Sequence, residues 1–180
     1  MSAPASLFSD DLISPEVQSS LPEGYIARPL QRTDFQHGHL DVLRDLAVVG
    51  DITEEAWVER YDWMASCHGS YYVLVFVDTK AEPSKQIVAT GTLIVERKFL
   101  FKLGLQGHIE DIAVAKGQQG KKFGVKLLSA LDFVADKVGC YKNILDCSPE
   151  NTGFYVKCSY EQAGQEMHRY FDAEAEKVGV

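Results

Sequence analysis

The sequence predicts a mixed α/β fold of the α+β type, in which a mostly antiparallel central sheet carries helices on both faces. Three segments rich in β-branched and aromatic residues, 71–77, 86–96 and 105–114, follow one another, which is typical of an antiparallel meander. A long amphipathic segment, 120–138, then leads to a short apolar strand at 143–147. Because a helical crossover makes neighbouring flanking strands parallel, we expect the last strand pair to be parallel.

The remaining elements follow from local signals. Thr33 and Gln36 have the spacing of a capping box, and Thr53 is placed to cap a second helix. Gly139 is expected to end the long helix, and Gly91 predicts a bulge in its strand. The shorter elements are a strand at 25–30, a helix from residue 33 to about 48, a helix from 53 to about 66, a short helix at 152–158 and a strand at 166–170.

The 180-residue chain is expected to form one folded domain at 25–171. Residues 1–24, rich in serine, proline and acidic side chains, predict a flexible N-terminal tail, and 172–180 an acidic C-terminal end. The net charge of −8 argues against nucleic-acid binding. No apolar run approaches the roughly 20 residues that span a bilayer, and no secretory signal is evident. We therefore expect a cytoplasmic protein without membrane insertion.

Four cysteines are present, and none forms a C-x-x-C pair. This pattern predicts reduced thiols and no metal site.

The turn before the long helix is a candidate phosphate site. It contains glycine, glutamine and lysine, and the first amide groups of a helix lack intrahelical partners at the positive end of its dipole. Such a helix start binds phosphate or pyrophosphate, although a solvated turn has the same composition. Neither a Walker A nor a Rossmann pattern is present.

Ionisable residues lie on both strands that flank this helix. Glu110 and Asp111 belong to the first strand and Asp146 to the second. Adjacent strand residues point to opposite faces, so only one of Glu110 and Asp111 faces a given ligand unless a bulge intervenes. His108 is expected to have a structural role.

Taken together, GHIEDIAV at 107–114, the strand–QxxxxG–helix turn, GCYKNILDC at 139–147 and FYVKC at 154–158 resemble the GNAT superfamily of N-acetyltransferases. Within it, they are most similar to the fungal glucosamine-6-phosphate N-acetyltransferases. The resemblance covers about 25–170, which makes 25–171 an acetyltransferase domain. It implies direct acetyl transfer from acetyl-CoA to the amine of D-glucosamine 6-phosphate in a ternary complex, toward UDP-N-acetylglucosamine. It also implies a splayed parallel strand pair and a homodimer that completes the active sites.

The resemblance also implies roles for single residues. Glu110 and Asp146 would orient the substrate ammonium and accept its proton, and Tyr155 would donate to the departing sulfur. Acetyl-CoA would contact Ile112, Ala113, Val114, Gln119, Gly120, Lys121, Lys122, Phe123, Gly124, Val125, Asn151 and Tyr155. The sugar phosphate would contact Arg97, Lys98, Glu110, Asp111, Tyr141, Lys142 and Asp146.

Several positions depart from the family pattern. Lys122 stands where the turn usually has its middle glycine, and Ala47, Phe101 and Ser159 differ from relatives. Two alternatives stay open: an acetyltransferase of the same fold for a polyamine or peptide amine, and a non-catalytic acyl-CoA-binding module. A covalent intermediate on Cys147 is disfavoured, because no histidine is evident nearby as its base.

Overall fold

The computed structural model describes residues 6–178, within which five strands form one sheet. The strands are β1 (Tyr25–Pro29), β2 (Tyr71–Asp78), β3 (Ile87–Arg97), β4 (Leu105–Val114) and β5 (Cys140–Ile144). The helical segments are α1 (Pro15–Ser20), α2 (His39–Arg44), α3 (Glu54–Ser66), α4 (Leu100–Leu103), α5 (Phe123–Val138), α6 (Thr152–Lys157) and α7 (Ala173–Val178). None of the helices in this range is long and apolar enough to cross a bilayer.

The strands lie in chain order, β1-β2-β3-β4-β5. The first three pairs are antiparallel, whereas β4 and β5 are parallel. The predicted mixed, mostly antiparallel sheet with a parallel last pair is therefore confirmed.

Two apolar clusters cover the two faces of the sheet. On one face α5 buries Leu127, Leu131 and Val134 completely, and these positions follow the 3.6-residue helical period. On the other face α3 buries Trp57 and Tyr61, whose rings stack with centroids 5.7 Å apart. Full burial of one leucine side chain stabilises the fold by roughly 2 kcal/mol, so each cluster contributes several kcal/mol. The sheet therefore lies between helices on both faces, as predicted.

The N-terminal segment differs from the predicted tail. The hydroxyl of Ser14 accepts a hydrogen bond from the Val17 amide at 3.2 Å and caps α1. Val17 and Leu21 are buried against the α5 side of the core. With only six residues, α1 is too short to show an amphipathic repeat, which is why sequence periodicity did not reveal it. Residues 1–5 lie outside the described range.

Two helices begin later than predicted, because left-handed backbone precedes them. The helix expected from Thr33 begins only at His39, after turns that end at Gly38 with φ 88°. The helix expected from Gly120 begins at Phe123, because residues 120 and 122 both have positive φ. By contrast, α3 begins and ends as predicted, and the Thr53 hydroxyl accepts a hydrogen bond from the Ala56 amide at 3.3 Å.

Two strand predictions were wrong. The strand expected at 143–147 lies at Cys140–Ile144, since its pairing with β4 begins directly after the helix ends at Gly139. The strand expected at 166–170 does not form: these residues have no regular structure, and no neighbouring strand of the described chain pairs with them.

Candidate active site

The candidate site begins where β4 and β5 separate. His108 and Ile144 are the last paired residues of the two strands, whereas β4 stays paired with β3 as far as Val114. Beyond His108, no strand of the described chain lies beside the other edge of β4. An unpaired strand edge presents backbone donors and acceptors that can bind an extended ligand. The free edge of β4 at 109–114 can therefore bind an extended ligand.

A β-bulge shapes β4 at the splay. Gly91 of β3 lies opposite two residues of β4, and the extra residue, Asp111, has φ 55°. Ile109 and Ile112 consequently pack on the same core cluster, although a regular strand would place them on opposite faces. A bulge was predicted in the strand of Gly91, but the extra residue lies in the partner strand β4, opposite Gly91. Asp111 and Ile112 together occupy the place opposite Gly91, whereas Glu110 pairs with Thr92. A bulge therefore follows Glu110 directly, which is the condition under which Glu110 and Asp111 can both face one ligand.

Carboxylates surround the imidazole of His108. Its Nε2 lies 3.0 Å from Glu110 Oε1 and 3.7 Å from Asp146 Oδ2. Its Nδ1 lies 3.6 Å from Glu96 Oε1, and Glu96 also pairs with Lys98. The structure therefore brings together Glu110 and Asp146, which the sequence placed on separate strands. The sequence interpretation missed the place of His108 between them. The available signal was its two-residue spacing from Glu110, which puts both on one face of β4.

The surroundings of Glu110 favour its proton-bound form. Burial raises the pKa of this carboxyl, and the nearby charges of Asp111, Asp146 and Glu166 raise it further, whereas His108 lowers it. Burial also raises the pKa of Asp111. A carboxylate with a raised pKa is a better proton acceptor near neutral pH than an exposed one.

Tyr155 of α6 lines a cavity of about 440 Å³ together with Asp146 and Cys147. The tyrosine ring lies 5.1 Å from the Phe154 ring and 6.2 Å from the Tyr160 ring, measured between centroids. Burial raises the pKa of the Tyr155 hydroxyl, so it stays protonated and able to donate at neutral pH. Cys147 is a free, exposed thiol.

The turn before α5 leaves the helix N-terminus open. Gly120 and Lys122 adopt left-handed backbone, with φ 84° and 60°. No described side chain caps the helix, so its first amide groups remain available. A Cβ at Gly120 would meet no heavy atom within 4 Å. The turn therefore leaves backbone amides without a side-chain cap beside open space, and phosphate binding there stays a prediction.

The two lysines of this turn differ in their surroundings. Lys121 Nζ lies 2.6 Å from the Tyr25 hydroxyl and 4.7 Å from the centre of its ring, and it also contacts Gln118. Lys121 is therefore folded back on β1. Lys122 is exposed. Of the two, Lys122 is the one open to an incoming anion.

The other predicted ligands lie around this centre at varying positions. The Tyr141 hydroxyl donates to Gln106 Oε1 at 3.1 Å, and Lys142 is exposed beside the Tyr141 ring. Arg97 instead donates to the Gly69 carbonyl oxygen at 3.2 Å, so its guanidinium points toward the α3–β2 connection and away from His108. Asn151 is exposed. No metal-binding group of three or more side chains occurs within residues 6–178.

Comparison with known proteins agrees with this architecture. Residues 33–160 match the model of the acetyltransferase (GNAT) family. A glucosamine 6-phosphate N-acetyltransferase from Candida albicans is 46% identical over 147 residues, which cover 82% of this chain and 96% of that protein. Its Dictyostelium discoideum counterpart is 37% identical over 86% of this chain and 96% of its own length.

A solved structure extends the comparison to the fold. The crystal structure of the Arabidopsis thaliana glucosamine-6-phosphate N-acetyltransferase superposes with a TM-score of 0.77 at 37% identity, covering 83% of this chain and all of that one. With the splayed strands, the open helix start and the carboxylate pair in place, the chain belongs to the GNAT family of acetyltransferases and, within it, to the glucosamine 6-phosphate N-acetyltransferases.

Proposed function

We propose that this protein transfers the acetyl group of acetyl-CoA to the amine of D-glucosamine 6-phosphate, giving N-acetyl-D-glucosamine 6-phosphate and CoA. The observation that carries the proposal is that Glu110 and Asp146 both lie beside His108 at the splay. The uncapped N-terminus of α5 follows the same strand in the chain. The names of its relatives in fungi, plants and slime moulds support the same substrate.

The splay and the turn fit acetyl-CoA. The free edge of β4 at Ile112, Ala113 and Val114 presents peptide groups to the amide-containing arm of the molecule. The amides at 120–125 lie at an uncapped helix start, where a pyrophosphate is stabilised by the helix dipole. When bound, acetyl-CoA supplies the activated acetyl group. The exposed positions of Gln119, Lys122, Val125 and Asn151 are open to its remaining parts.

The carboxylates and Tyr155 supply acid–base chemistry. Glu110, with Asp146 nearby, orients the substrate ammonium and accepts one proton from it, which leaves a neutral amine. The amine nitrogen then attacks the thioester carbonyl carbon, the carbon–sulfur bond breaks as the carbon–nitrogen bond forms, and the nitrogen loses its second proton to water. Amide groups on the free edge of β4 polarise the carbonyl. The hydroxyl of Tyr155 donates to the departing sulfur, so no acyl-enzyme is required.

We also propose that the protein works as a homodimer. Phe99 and Phe101 around α4 are 94% and 73% exposed, and Met167 and Phe171 of the C-terminal segment are 91% and 90% exposed. Apolar groups this exposed commonly mark an interface, and the unpaired 161–170 segment could add to a second copy. Sedimentation of the purified protein tests this, and a monomer under assay conditions contradicts it. A cytoplasmic location, a fungal source and a role in UDP-N-acetylglucosamine synthesis stay predictions.

A thiol-release assay tests the activity. With acetyl-CoA present, we expect fast release with glucosamine 6-phosphate and little with glucosamine. Glu110→Gln should lower kcat about 100-fold, the usual scale for removal of a general base. Glu59→Gln, an exposed change on α3, should leave kcat unchanged. Release with spermidine or a peptide exceeding that with the sugar phosphate would support the alternative acceptor. Acetyl-CoA binding without acetylation of any amine would support a non-catalytic module.

A further inference from the structure

We infer that His108 is a positioning residue for the reaction, which fixes the Glu110 carboxylate through a proton on its Nε2. This inference rests on the proposed function. Nothing in the residue's sequence context assigns it this role, and it makes no bond to a reacting atom.

The position of His108 in the sheet restricts its ring. Its backbone is paired on both sides, with Ile94 of β3 and Ile144 of β5, and its side chain is only 22% exposed. Glu96 lies diagonally across the β3–β4 pair, within reach of Nδ1. The ring is therefore held from three strands at the point where the splay opens.

The charged groups around the imidazole and Glu110 are mostly acidic and come from several elements. Glu96 and Lys98 come from the end of β3 and already pair with each other. Glu110 and Asp111 come from β4. The remaining acidic groups are Asp146 after β5 and Glu166 from the C-terminal segment. With Lys98 engaged by Glu96, His108 is the described group that separates the Glu110 and Asp146 carboxylates.

The contact with Glu110 is short but incomplete. Nε2 is buried and lies 3.0 Å from Glu110 Oε1, yet it makes no aligned hydrogen bond with a described group. When the ring proton is on Nε2, that nitrogen is a buried donor without a partner, which costs free energy. A small rotation of the Glu110 carboxylate toward Nε2 would recover this energy. Apo active sites commonly tighten such hydrogen bonds only when substrate binds.

This arrangement has two consequences for the reaction. A donor on Nε2 selects one orientation of the carboxylate, and it favours the charged form of Glu110 against its acidic neighbours. During transfer the proton passes from the substrate ammonium to Glu110, and His108 keeps its own proton. Loss of the Nε2 donor should therefore reduce kcat and extend the proton-bound form of Glu110 to higher pH.

Two substitutions separate the ring nitrogens. In His108→Gln the side-chain amide nitrogen replaces Nε2 and keeps a donor toward Glu110. In His108→Asn the shorter amide reaches only the place of Nδ1, beside Glu96. His68→Gln, at an exposed histidine in the α3–β2 connection, is the matched control. The assay measures kcat from pH 5.5 to 9 with saturating acetyl-CoA and glucosamine 6-phosphate, together with the melting temperature of each variant.

We expect His108→Asn to lose about tenfold in kcat and its acidic limb to move up by about one pH unit. His108→Gln should keep kcat within about threefold of the wild type and leave the limb near its original position. Because all variants act on the same amine, the substrate's own titration cancels from the comparison.

Two results overturn the inference. One is an unmoved acidic limb in His108→Asn, whatever its kcat, since a merely structural role would lower stability without changing the pH profile. The other is equal behaviour of the Gln and Asn variants. If the wild type itself does not turn over the sugar phosphate, the proposed function fails first, and that result is distinct from either outcome for His108.

Discussion

Lys122 is a non-glycine residue with left-handed backbone at the start of α5, and substituting it gives a sharp test of the turn geometry. Its backbone has φ 60° and ψ 28°, the left-handed region that glycine adopts without cost. Its side chain is exposed, and it caps no amide of α5. The lysine therefore has a strained backbone conformation, and it places one positive charge at the start of the helix.

The size of the effect follows from comparing glycine with alanine at this position. A left-handed conformation costs a non-glycine residue roughly 1–2 kcal/mol, and the extra freedom of glycine in the unfolded chain offsets about 0.5–1 kcal/mol of that. Lys122→Gly should therefore be more stable than Lys122→Ala by about 1 kcal/mol, or roughly 2–4 °C in Tm for a chain of this size. Both lose the charge, so KM for acetyl-CoA should rise about two- to fivefold in Lys122→Ala.

The assay is thermal unfolding of both variants, with acetyl-CoA titrations in parallel. Ser129 offers the matched control, because it is exposed in the interior of the same helix. There the order should invert, with glycine less stable than alanine by about 1 kcal/mol. Equal Tm values for the two Lys122 variants would refute the assigned strain. A lower KM for Lys122→Gly than for Lys122→Ala would show that the Cβ hinders the pyrophosphate.

Three further predictions concern stability. A Cβ at Gly107 would lie 1.9 Å from Asn143 Oδ1, so Gly107→Ala should cost about 1–3 kcal/mol, measured by urea unfolding. The Tyr160 hydroxyl donates to Asp132 Oδ1 at 2.6 Å, so Tyr160→Phe should cost about 1.5–3 kcal/mol in the same assay. Burial lowers the pKa of His39 to about 4 from the usual 6.5, so its contribution is complete above pH 6.5 and is lost as pH falls toward 4. The free energy of unfolding should be about 2 kcal/mol lower at pH 5 than at pH 7, and His39→Gln should remove most of that difference.

The elements that the sequence predicted well have strong local causes. Thr53 supplies its own cap, and β4 has enough β-branched and apolar residues to predict both of its ends. The elements it missed depend on distant contacts. Gly38 adopts left-handed backbone at a place where a Cβ would lie 2.7 Å from the Ser84 carbonyl oxygen. Ser84 belongs to a loop 46 residues further along the sequence. No local pattern encodes such a packing constraint.

The same distinction applies to the candidate site. Glu110 and Asp146 could be selected from the sequence, because each belongs to a short motif that can be identified without knowing the fold. The place of His108 between them depends on the register of two strand pairs, which also brings Glu96 beside the ring. The direction of Arg97 likewise depends on its contact with Gly69. Registers and side-chain directions are properties of the assembled sheet, and one sequence does not specify them directly.

A net charge of −8 opposes the long-range approach of an anionic sugar phosphate and CoA, but the arrangement of charges along β4 offsets this locally. Around Glu110 the strand carries its acidic groups, where the substrate presents an ammonium. At its far end lie the open helix start and the exposed Lys122, where the phosphates of CoA would bind. Charges beyond about 8 Å are largely screened at physiological ionic strength. Recognition therefore depends on this local separation of charge, and raised salt should weaken acetyl-CoA binding in the wild type more than in Lys122→Ala.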